Sequence, residues 1–193
     1  MSNYRPNDLF KFINNIKYGY VDRKSNIHIG DDEKWFSTYK LQSKDELLTN
    51  MVGNCYDVVE LLRFFLERNY KVETFFMMIA LPYKNNYPTH SYLIYLDNNC
   101  YNLIENKFGL NCGINSFKTR EEVVRYQALS YLKFLKDNYN LKSKEEKYFI
   151  TTSFNKPKSG SSALSYIDNA LSGSKVVMLV DGEINYKNYE EIN

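Results

Sequence analysis

Gly53-Asn54-Cys55-Tyr56-Asp57, followed by Val58-Val59-Glu60-Leu61-Leu62-Arg63-Phe64-Phe65-Leu66-Glu67-Arg68, decides how the chain is read. The second part has helical periodicity. Glu60, Arg63 and Glu67 recur at three- and four-residue spacing and form one narrow polar stripe with ion-pair geometry. Val, Leu and Phe cover the rest of the circumference, so the helix is expected to be buried on most sides. Cys55 falls where that helix begins, after a glycine able to take backbone angles that other residues avoid. Unsatisfied N–H groups and the positive end of the helix dipole favour negative charge on a sulfur placed there, which suits a nucleophile. Two considerations oppose this. A free cysteine is often just a small buried hydrophobe, and Asp57 in the first turn brings a like charge.

Downstream, Val72 to Leu81 is an apolar run of strand length with hydrophobic residues at both parities, the pattern of a central strand. Thr89–Leu96 and Cys100–Glu105 flank Asp97-Asn98-Asn99 and read as a β-hairpin. A two-residue loop pairs 97 with 100 and a four-residue loop pairs 96 with 101. Both give partners summing to 197, which sets Tyr92 opposite Glu105. His90 shares a face with Tyr92, so Glu105 is its diagonal neighbour, with Cβ atoms about 7 Å apart. A three-residue loop would turn Glu105 to the other face.

A thiol at a helix start, an imidazole on a later strand and a carboxylate on the next strand form the layout of an acyl-transfer site. The imidazole handles the thiol proton, and the carboxylate fixes the ring's tautomer. Gly53-Asn54-Cys55-Tyr56-Asp57 resembles the Gly-x-Cys-x-Asp nucleophile motif of the transglutaminase-like superfamily, which is papain-like in fold. His90-Ser91-Tyr92 resembles that family's His-[Ala/Ser]-aromatic motif, and Glu105 falls where the family places its acid, usually aspartate. The match spans Gly53 to Lys107 and is closest to short bacterial uncharacterised members. The Pro or Thr that commonly follows the acid is replaced by Asn106-Lys107. The resemblance implies Cys55 as nucleophile, His90 as general base then acid, and Glu105 as the residue orienting His90. It also implies an oxyanion donor from the Cys55 N–H, with Gln42 or Trp35 as a second. The substrate would be a peptide, amide or other acyl compound, with no cofactor and no metal. The alternative is a catalytically inactive binding module on the same fold. A metal site built from Cys55, His90, Cys100 and Cys112 is disfavoured, because the register puts Cys100 at the far end of the hairpin.

The remaining sequence frames this core. At 193 residues and net charge +2, the chain is expected to be one domain that binds neither nucleic acid nor membrane surfaces. The lysines from 133 to 147 are interrupted by acids and read as a solvated face. Three cysteines without framework spacing, no signal-like N-terminal run and no apolar stretch of membrane-spanning length point to a reduced, cytoplasmic setting. Residues 7–17 read as an amphipathic helix capped by Asn7, and residues 18–22 as turn and loop. His28 is expected on a short strand and Trp35 within a helical 33–39. Ser43-x-x-Glu46 and Thr119-x-x-Glu122 are capping boxes. The second opens a helix with Val124, Ala128, Tyr131, Leu132 and Leu135 on one face. A strand over 147–152, a helix over 163–171 and a strand over 175–180 complete an α+β chain. In it, an N-terminal helical part carrying Cys55 packs on a mostly antiparallel sheet. The two Ser-Gly-Ser stretches near 160 and 173 lack P-loop spacing and read as turns.

Overall fold

The computed structural model describes residues 4–30, 32–81, 87–106 and 112–172, with the backbone of 175–180 and 183–188. Helix α1 (Pro6–Ile13) begins with proline, whose missing N–H costs nothing in a first turn. Arg5 holds the cap position expected of Asn7. Strand β1 (Lys17–Val21) then occupies residues read from sequence as turn and loop. It pairs antiparallel with β2 (Ile27–Ile29) and parallel with β3 (Val52–Gly53). The N-terminal part is therefore a small sheet as well as helices. The cause is packing: a Cβ on Gly19 would lie 2.1 Å from the His28 carbonyl oxygen. Glycine lets β1 and β2 approach here while Tyr20 and Val21 bury.

Between these strands lie α2 (Trp35–Thr38) and α3 (Lys44–Asn50). Both halves of the Ser43/Glu46 capping box form, and Met51 in left-handed geometry (φ 52°) turns the chain into β3. Helix α4 (Cys55–Leu66) follows at once. Its polar stripe is less solvated than its sequence suggests: Glu60 and Arg63 are nearly buried and ion-paired at 3.1 Å.

The larger sheet contains β4 (Lys71–Ile79), β5 (His90–Asp97), β6 (Cys100–Glu105), β7 (Gly113–Phe117), β8 (Phe149–Ser153), β9 (Lys175–Val180) and β10 (Glu183–Asn188). The order is β10-β9-β8-β4-β5-β6-β7, with every pair antiparallel. The α+β class and the mostly antiparallel sheet expected from sequence are present. β7 and β10 were not anticipated. α5 (Arg120–Tyr139) and α6 (Ala163–Leu171) complete the helices, with a short 3₁₀ turn, Ser143–Tyr148, between α5 and β8.

Strand β4 lies between β8 and β5 and is apolar on both faces because both faces are covered. Phe76 and Met78 join Leu93, Tyr95, Ile104 and Ile150 under α4 and the N-terminal elements. Phe75, Met77 and Ile79 join Tyr92, Ile94 and Leu103 under α5, whose Val124, Ala128, Tyr131, Leu132 and Leu135 are buried as their spacing predicts. Among the described residues, no helix is long and apolar enough to cross a membrane. Replacing Gly19 with Ala is expected to cost about 1–3 kcal/mol through overpacking against backbone. Thermal unfolding reads this as a lowered Tm, and an unchanged Tm would contradict the close β1–β2 approach.

Candidate active site

Cys55 is the first residue of α4, so helical geometry gives its N–H no carbonyl partner. Asn54 caps the helix by accepting the Tyr56 N–H at 2.9 Å and the Asp57 N–H at 3.5 Å. Asp57 reaches back to the Asn54 N–H at 3.2 Å. Its other oxygen accepts the Gln42 N–H at 2.9 Å and the Tyr39 hydroxyl at 3.2 Å. Burial pushes the Asp57 carboxyl up to about 6, against the pull of these hydrogen bonds. Asp57 thus anchors the helix start to the preceding segment. Gly53 is required for space rather than for unusual angles, which corrects the sequence reading. It is not among the positive-φ glycines, and a Cβ there would meet Leu47 Cδ1 at 2.8 Å and Asp57 Cβ at 3.0 Å.

His90 is the first residue of β5 and Glu105 the last of β6. Asp97 pairs with Cys100 and Leu93 with Ile104, so every partnership sums to 197 as the hairpin arithmetic requires. Asn98 and Asn99 have φ of 48° and 60°, the positive pair of a two-residue type I′ turn. The register brings His90 Nε2 to 2.7 Å from Glu105 Oε2, with both residues buried. A carboxylate oxygen only accepts, so Nε2 donates, and Nδ1 is the nitrogen left for the Cys55 thiol. Burial disfavours a charged imidazole, but the Glu105 charge and hydrogen bond, together with the neighbouring Cys55 in the same cleft, outweigh it and raise His90 to about 10.

Glu105 is itself held by residues the sequence reading did not identify. Gln127 of α5, fully buried, donates from Nε2 to Glu105 Oε2 at 2.6 Å. The Asn106 N–H donates to Oε1 at 3.1 Å. A signal for Gln127 was available, since it lies on the apolar stripe of α5 with Val124, Ala128 and Tyr131. A polar side chain on a buried face needs a partner.

The residues flanking Cys55 and His90 are also tied together. The Tyr56 hydroxyl hydrogen-bonds the Thr89 hydroxyl. Tyr56 stacks on Tyr166 with ring centroids 4.0 Å apart, and the Tyr166 hydroxyl donates to Ser91 Oγ at 3.2 Å. The residue after Cys55 therefore helps fix both chain neighbours of His90.

Cys55, His90 and Glu105 share a narrow cleft of about 30 Å³ with Ile16, Tyr18, Asn54, Val58 and Asn106. Gln42 and Trp35, expected as oxyanion donors, do not line it. Gln42 donates from Nε2 to the Val52 carbonyl at 2.8 Å and accepts from Asn50 at 2.8 Å, bracing the chain before Gly53. Trp35 packs edge-on against Phe36 and Tyr39 and tilted against Tyr56. Cys100 lies beside the hairpin turn opposite Asp97, away from His90, and all three cysteines are unpaired. Among the described residues no group of three His, Cys, Asp or Glu side chains is arranged to hold a metal.

No protein-family model matches this chain, and comparison with curated proteins also gives no match.

Two substitutions probe the geometry. His90 is raised above its ordinary 6.5, so its stabilisation is full below 6.5 and is lost as pH rises through about 10. The Tm gap between the wild type and Glu105→Gln should narrow across that window, whereas a constant gap would contradict the ion pair. Gln127→Met should cost about 1.5–3 kcal/mol, as expected for a lost hydrogen bond to a charged group. It should also lower the pH at which the His90 ring titrates by NMR. A stability loss with unchanged titration would reduce Gln127 to packing.

Proposed function

We propose that the chain is a cysteine-dependent hydrolase or acyltransferase of the transglutaminase-like, papain-like type, acting on a peptide, amide or other acyl substrate. The observation that carries this reading is the cleft where Cys55, at a helix start, meets a His90 ring held at 2.7 Å by Glu105. The sequence resemblance between Gly53 and Lys107 supports it. The Cys55 sulfur attacks the acyl carbonyl and its proton resides on His90 Nδ1. The Cys55 N–H donates to the oxyanion. Collapse of the tetrahedral intermediate breaks the bond to the leaving group, which takes the proton from His90, and leaves a thioester on Cys55. The acceptor then gives its proton to His90 and attacks the thioester, releasing product and the thiol. Water ranks first as acceptor, which makes the reaction a hydrolysis. An amine would make it a transfer. Three unpaired thiols fit a reducing, cytoplasmic setting.

A second reading, a binding module on the same fold, is favoured by the narrowness of the cleft and by glutamate where the family usually has aspartate. Iodoacetamide labelling separates the two. The catalytic reading expects Cys55 to react far faster than Cys100 and Cys112, and His90→Ala to slow Cys55 about 100-fold or more. Reactivity at Cys55 no higher than at the more exposed Cys112, or unaffected by His90→Ala, favours the binding module.

A further inference from the structure

A second cleft, of about 190 Å³, opens between α4, the segment 41–44 and the loop 156–159. It shares no lining residue with the cleft at Cys55, because Asp57, Glu60, Leu61 and Phe64 occupy a different side of α4 from Cys55 and Val58. We propose that this cleft binds a small zwitterion with an apolar body, of the free α-amino acid class.

The demand for a donor comes from Glu60. Its side chain is 10% exposed, and Oε1 accepts from Arg63 at 3.1 Å. Oε2 is buried without a hydrogen-bond partner. A buried carboxylate oxygen left this way is costly, and an ammonium group satisfies it. The demand for an anion comes from two lysines that also line the cleft, Lys44 and Lys156. Lys44 pairs at 2.8 Å with Asp45, an 83% exposed carboxylate, and Lys156 stands 3.8 Å from Glu67 with both partners about half exposed. Exposed pairs of this kind contribute little, so a ligand carboxylate can compete for both ammonium groups. Leu41, Leu47, Leu61, Phe64 and Pro157 supply the apolar wall.

The size selects an amino acid over a larger ligand, since drug-sized sites run from roughly 300 to 1,000 Å³. A plain amine gains nothing from the lysines, which keep their exposed pairs with Asp45 and Glu67, and a plain carboxylate leaves Glu60 Oε2 unmatched. Burial raises Glu60 to about 7 in spite of Arg63 and Lys156, with Glu67 adding to the rise. Lys44 and Asp57 are the remaining charged groups lining this side. An ammonium ligand requires ionised Glu60, so binding strengthens as pH rises through 7.

The test is isothermal titration of the full chain with L-leucine, L-methionine and L-phenylalanine. At least one should bind saturably, and Glu60→Gln should weaken it at least about tenfold, or about 1.4 kcal/mol. Lys156→Ala, at an exposed position that tolerates substitution, should weaken it measurably and keeps the proposal testable if the Glu60 variant does not fold. 4-Methylpentanoate and isoamylamine, which are leucine without its ammonium and without its carboxylate, should each bind at least about tenfold more weakly. Cys55→Ala should bind as the wild type does, which separates this site from the proposed active site. Absence of saturable binding by all three amino acids, equal binding of isoamylamine, or loss of binding in Cys55→Ala would each overturn the proposal.

Discussion

The 2.7 Å hydrogen bond between His90 and Glu105 is the contact on which the candidate site depends, and strand register sets it. A slip of one residue in the β5–β6 hairpin would carry Glu105 to the opposite face of the sheet and leave His90 buried without its carboxylate. Two consecutive asparagines at positive φ fix the turn that prevents the slip. Gln127 then spans from α5 to the same carboxylate oxygen, so the helix on one face of the sheet stabilises a contact at the strand ends. Breaking a buried pair of this kind is expensive, because it leaves an uncompensated charge in the interior.

Helix α4 brings the nucleophile candidate to that contact, and its start is unusually constrained. Asn54 and Asp57 satisfy each other's backbone groups, Asp57 also takes donors from Gln42 and Tyr39, and Gly53 leaves no room for a side chain. Tyr56 extends the same constraint to Thr89. The helix therefore acts as a wall between two clefts. One contains Cys55, the other Glu60 and the two lysines, and Asp57 at the helix start lines the second.

The parts of this arrangement that were legible in the sequence are those governed by local periodicity. Hairpin register follows from side-chain alternation and turn length, so the His90–Glu105 neighbourhood could be computed from residue numbers alone. The capping boxes at Ser43 and Thr119 and the buried face of α5 follow from helical spacing. The illegible parts depend on tertiary approach. β1 looked like a loop because Tyr18-Gly19-Tyr20 carries a glycine whose purpose, contact with β2, appears only once the strands are together. Gln42 looked available as an oxyanion donor because sequence proximity to Cys55 does not reveal that its amide is already engaged with Val52 and Asn50. Gln127, twenty-two residues beyond Glu105, had only its place on an apolar stripe to mark it.

Whether Cys55, His90 and Glu105 act as one unit is tested most directly by a double-mutant cycle on Cys55 alkylation. Rates would be compared for the wild type, His90→Ala, Glu105→Gln and the double variant at one pH. If Glu105 acts through His90, the double variant should be no slower than His90→Ala alone, because the second substitution has nothing left to remove. Losses that multiply independently would show that the carboxylate and the imidazole do not act on the sulfur together, and would contradict the account.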